Sequence, residues 1–160
     1  VTERFKETFH AIQGHFTAMF KQLFGGGDAE LQLTEADYLT AGIDIVVQPP
    51  GKKLQHLSLL SGGERALTAI ALLFAILKVR SAPFVILDEV EAALDEANVI
   101  RYAKYLNELS DETQFIVITH RKGTMEFADR LYGVTMQESG VTKLVSVNLN
   151  TIDDVLKEEQ

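Results

Sequence analysis

Two acids in tandem, Asp88 and Glu89, end the apolar run Phe84-Val85-Ile86-Leu87, and Thr119 and His120 end a second apolar run, Phe115 to Ile118. A polar group delivered by a buried strand is placed for chemistry at the strand's carboxyl end. A hard Mg²⁺ ion takes oxygen ligands and keeps several waters, so Asp88 alone suffices to hold it, directly or through water. The adjacent Glu89 would then face an attacking water and orient or deprotonate it. The His120 imidazole could donate to a transferring phosphoryl oxygen. The plainer alternatives are that the two acids cap the following helix and that His120 is an ordinary loop histidine.

A second group of residues suits phosphate. In Leu60-Ser61-Gly62-Gly63-Glu64-Arg65 the two glycines lack a Cβ, so an anion could approach the backbone closely. Ser61 followed three residues later by Glu64 is a capping box. The helix start it marks presents unpaired N–H groups and a positive dipole end. Many helices start in this way; the ordered spacing of the glycine turn, the two acids and the histidine sharpens the reading. The usual phosphate-gripping loop, Gly-x4-Gly-Lys-Ser/Thr, is nowhere in the 160 residues. Gly25-Gly26-Gly27-Asp28 has no lysine in place, and Pro50-Gly51-Lys52-Lys53 lacks the leading glycine and the hydroxyl.

The elements that must position these groups follow from periodicity. Phe5, Phe9, Ile12, Phe16, Met19 and Leu23 form a 4-3 seam, which fits a helix lying along another helix and equally an amphipathic core helix. Such a helix spans about 35 Å, and Gly25-Gly26-Gly27 stops it. Leu31 and Leu33, then Ile43, Ile45 and Val47, alternate as two strands. The stretch from Lys52 to Leu60 reads as a loop. The helix from Gly62 to Val79 is apolar on nearly every side and is expected to be buried. Phe84 to Leu87 reads as a central parallel strand, followed by a helix from Glu96 to Leu109 and a second buried strand ending at His120. A short helix over Gly123 to Asp129 and a hairpin about Glu138-Ser139-Gly140 complete the order, with an acidic tail after it. The alternation predicts an α/β fold with a mainly parallel central sheet flanked by helices.

Bulk properties set the limits. The chain is 46% apolar and 24% charged, which suits one globular domain. It has no cysteine, so neither a disulfide framework nor a thiolate metal site, and this suits a reducing cytosol. It begins with Val1 rather than Met, as an excised piece of a longer polypeptide would. The formal charge of −8 repels nucleic acid. Lys52, Lys53, Arg121 and Lys122 are too few to make a basic patch. No run approaches the ~20 apolar residues needed to cross a bilayer, and no secretory signal is visible.

These residues in this order resemble the ABC-type ATPase head, a P-loop NTPase-like fold. "LSGGE" resembles the signature motif, "FVILDE" the Walker B strand, Ala93-Leu94-Asp95 the D-loop and His120 the switch histidine. Transporter domains generally follow the glutamate with proline. Here "DEVEAALDEANV" follows, and with "QFIVITHRKGTMEFADRLYGVTMQESGVTKLVSV" it is similar to bacterial SMC (structural maintenance of chromosomes) proteins. The resemblance implies the C-terminal half of an SMC head, whose Walker A lies in the N-terminal half. Residues 1–24 would be the stub of the coiled coil entering the head, 25–150 the C-terminal lobe and 151–160 the acidic tail.

The resemblance further implies ATP and Mg²⁺ as ligands. Asp88 would serve the metal, and Glu89 and His120 would be catalytic on their own head. Ser61, Gly62, Gly63, Glu64 and Asp95 would bind the nucleotide held by a second head. It implies four partners: the N-terminal half of the same head, the second head, the winged-helix domain of a kleisin subunit, and DNA through the assembled complex. Chromosome condensation and segregation in the cytoplasm, at the nucleoid, would be the setting. ATP hydrolysis is expected only of the completed assembly, with the isolated chain inactive. The alternatives are a non-catalytic kleisin-binding or dimerisation module, and a related repair ATPase head of the Rad50 or RecN type.

Overall fold

A computed structural model of the chain describes residues 2–148; the acidic tail lies outside the described residues. Helix α1, Thr2–Phe24, leads into a three-stranded antiparallel sheet of β1 (Asp28–Leu33), β2 (Ile43–Gln48) and the two-residue β3 (Gln55–His56), in that order. A 3₁₀ turn over Leu57–Leu59 precedes α2, Gly62–Val79. A β–α–β unit follows: β4 (Phe84–Asp88), α3 (Glu96–Leu109) and β5 (Gln114–Ile118), the two strands paired in parallel. The short α4, Lys122–Met125, then precedes the antiparallel hairpin of β6 (Arg130–Glu138) and β7 (Val141–Asn148).

The core lies where α1, α2 and α3 meet the inner sheet faces. Phe16, Phe20, Leu23, Leu67, Phe74, Val99 and Tyr102 are buried there. Phe74 stacks on Tyr102 at 6.1 Å, and Phe20 on Phe24 at 4.0 Å. The 4-3 seam of α1 is therefore mostly core: Phe9, Phe16, Met19 and Leu23 are buried, while Phe5 and Ile12 are partly covered. Two polar residues of α1 seal the outer edge of β1. Gln13 Oε1 accepts from Leu31 N at 2.9 Å, and Thr17 Oγ1 donates to the Ala29 carbonyl at 2.7 Å. A strand edge left open would invite pairing with another chain. At the end of α1 the glycine run is required: Gly25, Gly26 and Gly27 have φ of 74°, 140° and 79°. A Cβ on Gly27 would sit 2.2 Å from the Gln48 carbonyl oxygen.

The expected mainly parallel sheet is not what forms. Among the described residues one strand pair of three sheets is parallel. Parallel neighbours need a crossover element. Only β4 and β5 have one, in α3, whereas β6 and β7 are joined by a tight turn. The expected loop before the glycine turn also contains β3 and a 3₁₀ turn; two residues are too few for alternation to show.

Nor are β4 and β5 buried on both faces. Val85, Leu87, Phe115 and Val117 face the core. Phe84, Ile86, Ile116 and Ile118 are 46–58% exposed, because no described element covers that side. The same applies to α2, where Ile76 is exposed. The hairpin is apolar in composition yet open, with Tyr132, Val134, Met136 and Leu144 all exposed.

Candidate active site

The parallel register sets Asp88 opposite Ile118, so the carboxyl ends of both strands meet. Glu89 N donates to the Ile118 carbonyl at 2.9 Å, carrying the pairing one residue further. The chain then reverses. Glu89 has φ of 48°, alone among the described non-glycine residues in having a positive φ, a conformation that costs an L-residue about 1–2 kcal/mol. Ala92 N donates to the Glu89 carbonyl at 3.1 Å and Leu94 N to the Glu91 carbonyl at 2.9 Å, closing the turn that leads to α3.

This strained turn aims the Glu89 carboxyl at the next strand end, where Oε1 lies 3.3 Å from His120 Nδ1. Two candidates 31 residues apart in sequence are thus brought together. A Glu89 carboxylate accepts, so the proton of this bond sits on Nδ1. Donation from Nε2 at the same time requires the doubly protonated imidazolium. Both side chains are more than half exposed, on an open surface rather than in a pocket. Two surface grooves lie elsewhere, one lined by Asp44, His56, Ser58 and Arg65, the other by Phe5, Phe9, Ile12, Leu31, Leu72 and Ile76.

Asp88 shares the bare face of the sheet with Ile86 and Ile118. Among the described residues no group of three or more His, Cys, Asp or Glu side chains could hold a metal ion. Asp88 fits a Mg²⁺ ion only as one ligand among others from waters and a phosphate chain.

The glycine turn is built as the pattern suggested. Ser61 caps α2: its Oγ accepts from Glu64 N at 3.4 Å, and Glu64 Oε2 accepts from Ser61 N at 3.0 Å and from Ser61 Oγ at 2.8 Å. The two glycines differ. A Cβ on Gly62 would meet nothing within 4 Å, which leaves the backbone open to an anion. A Cβ on Gly63 would lie 2.9 Å from the Ala93 carbonyl. Gly63 therefore permits the close approach of the α2 start to the Ala93-Leu94-Asp95 turn, a packing role beside the anion-binding role expected of it. Asp95 caps α3, accepting from Asn98 N at 2.9 Å and from Asn98 Nδ2 at 3.2 Å. Among the described residues no hydrogen bond or ion pair joins Ser61 or Glu64 to Glu89 or His120.

Two further features give little sign of themselves in the sequence. Lys52 Nζ lies 2.6 Å from Glu64 Oε1. Its hydrogen bond, with that from Ser61 N, holds the Glu64 carboxyl below the usual carboxylate range. The turn signal of Pro49-Pro50-Gly51 just before it could have placed Lys52 near the glycine turn. The second is Glu91, 1% exposed, which accepts at Oε1 from the hydroxyls of Thr119 and Thr124. No signal marked it, since its neighbours in sequence are turn residues. Arg121, weighed as a basic-patch residue, instead pairs with Glu96 at 2.9 Å and donates to the Leu94 carbonyl at 3.2 Å.

Comparison with known proteins bears on this arrangement. The family model described as "RecF/RecN/SMC N terminal domain" matches residues 2–143. The "Chromosome partition protein Smc" of Bacillus subtilis (strain 168) is 69% identical over 93% of the chain, which spans only 13% of that protein. The fold superposes on a Pyrococcus furiosus structure described as an Smc head domain with an extended coiled coil bound to the C-terminal domain of ScpA. The TM-score is 0.93 at 44% identity, covering 98% of this chain and 39% of that one. A further chain has nearly the same extent: TM-score 0.84, 42% identity, 99% of this chain and 96% of that one. Its structure is described as concerning ATP-driven dimerization and DNA stimulated activation of SMC ATPases. The family description speaks of an N-terminal domain, and neither it nor the superpositions identify this stretch as the C-terminal half of a head. The chain belongs to the RecF/RecN/SMC N terminal domain family and has the α/β fold of an SMC head domain.

Proposed function

We propose that this chain is the half of an SMC ATPase head that supplies the signature helix, the Walker B acids and the switch histidine, and that the Walker A half completes it. The observation that carries this reading is the apposition of Glu89 and His120 on an open surface, with Glu89 held in a strained backbone conformation. Strain of this kind persists where the surrounding structure over-determines it, as functional sites do. An attacking water and a phosphoryl group need a closed, water-poor site. Glu89 and His120 are more than half exposed, so a second surface must close over them. Absence of a Walker A pattern from the sequence supports assigning this stretch to the C-terminal side of the head, with α1 as the stub of the coiled coil.

In this reading Glu89 orients and deprotonates water, and His120 holds Glu89 and contacts the terminal phosphate. Asp88 takes Mg²⁺, which when bound neutralises phosphate charge. Ser61, Gly62, Gly63 and Glu64, with Asp95, face the nucleotide of a second head. ATP binding would join two heads and hydrolysis part them, moving DNA-bound arms in chromosome segregation.

The test uses the full-length protein containing this chain. Removing a general base costs about 10²–10⁴ in rate. Glu89→Gln should lower turnover by that factor while ATP still binds and joined heads accumulate; turnover near wild type would refute the assignment. A second reading, a non-catalytic module that holds a kleisin, is favoured by the bare β4–β5 face and the open hairpin. The ScpA-bound Smc head named above lends it support. ATPase assays of the isolated chain, with and without the Walker A half, separate the two.

A further inference from the structure

Beside the exposed Glu89–His120 pair lies a buried carboxyl that hydrogen-bonds to neither side chain. Glu91 sits two residues after Glu89 in the same reversal and is 1% exposed. Its Oε1 accepts from Thr119 Oγ1, immediately before His120, and from Thr124 Oγ1 at 2.9 Å, in α4. Thr119 Oγ1 in turn accepts from Arg121 N at 3.0 Å. One carboxyl oxygen thus ties both ends of the segment carrying His120 to the turn carrying Glu89. Glu91 Oε2 has no hydrogen-bond partner among the described residues. An apolar side chain would fill the same space without that cost, so the retained carboxyl is explained by what its other oxygen holds.

A competing clamp exists on the outer side. Arg121 reaches Glu96 and the Leu94 carbonyl, but Glu96 is 62% exposed, and ion pairs in water contribute little. Glu91 is buried, so the hydrogen bonds it accepts from Thr119 and Thr124 are better shielded from water than that ion pair and are expected to contribute more.

We propose that Glu91 is a positioning residue that fixes His120 against Glu89 by clamping Thr119 and Thr124. The clamping is a property of this fold; its effect on turnover rests on the ATPase reading above. Glutamine keeps an amide oxygen that accepts from both threonine hydroxyls, whereas leucine accepts from neither. In the full-length protein, amide hydrogen exchange over residues 119–125 should rise about tenfold in Glu91→Leu and change little in Glu91→Gln. Exchange at the start of α2 should not move in either. If Glu91→Leu fails to fold, Thr119→Val and Thr124→Val each remove one hydroxyl and should raise exchange in the same segment. Arg121→Ala should raise it less.

In turnover, Glu91→Leu should lower kcat about tenfold or more with KM for ATP held, and Glu91→Gln should retain most of it. Unchanged exchange in the leucine and both valine variants overturns the proposal. So does a glutamine variant as loosened as leucine. Loosened exchange with unaltered turnover, together with an active Glu89→Gln, would leave the clamp in place and refute the ATPase assignment instead.

Discussion

At the scale of single residues, Glu89 joins the backbone strain to the chemistry proposed above. Its φ of 48° is affordable because Glu89 N is bonded to Ile118 and its carbonyl to Ala92 N. Glu89→Gly would relieve the conformation and delete the carboxyl together. Relief of an αL non-glycine residue is worth about 1–2 kcal/mol and the extra freedom of glycine in the unfolded chain offsets about 0.5–1 kcal/mol of it, so the variant should be slightly more stable to urea, with turnover lost. A destabilised variant would show that the backbone is not strained there. The apposition with His120 was legible in part: each residue was marked by ending an apolar run. Their separation of 3.3 Å was not legible, because it depends on which strands pair and in what register. Glu91 was invisible, since a buried carboxyl is recognised only from the hydroxyls that surround it.

At the scale of elements, the start of α2 is a capping box reinforced by a cation. Depression of the Glu64 carboxyl by the Lys52 and Ser61 hydrogen bonds has a definite sign. The stabilisation is present above the unfolded carboxylate pKa and is lost as pH falls through the lower folded value. Removing Lys52 returns the folded value toward the unfolded one, so less is lost. Urea denaturation between about pH 5 and pH 3 should show Lys52→Met losing less stability on acidification than wild type; parallel curves would mean the pair is not formed in solution.

The α2 start is also pressed against the turn at Ala93. With 2.9 Å from the Ala93 carbonyl to a Cβ on Gly63, Gly63→Ala should cost about 1–3 kcal/mol in denaturant melts. Gly62→Ala, which meets open space, should cost far less. The bounds of α2 and α3 were readable because capping residues and helical periodicity are local signals. The parallel expectation for the whole sheet failed because strand direction depends on connections, and β6 and β7 are joined by a turn at Gly140 rather than by a helix.

At the scale of the whole molecule, the fold is inside-out on one side. Phe84, Ile86, Ile116 and Ile118 cover one face of β4 and β5 and meet no partner among the described residues. Sheets of this parallel type are ordinarily covered on both faces, and exposed apolar faces of this kind favour association. The isolated chain should self-associate in sedimentation runs. Replacing Ile86 and Ile116 by lysine should return it to monomer and, on the ATPase reading proposed above, should block any activity gained on addition of the Walker A half. A wild-type chain that stays monomeric would mean the face is covered by something else. The apolar runs were visible in the sequence, but they looked like buried strands because nothing in a run of residues says whether its second cover lies on the same polypeptide.

The seam between α1 and β1 fixes more than an edge. Gln13 and Thr17 are one helical turn apart and both grip the same strand. A rotation of α1 by the ~100° of a single residue would swing both away together. The helix is therefore keyed to the sheet like a shaft in a slotted hub. Torque arriving along α1 cannot be dissipated by spinning in place; it must twist the three-stranded sheet or shear the two polar bonds that lock it.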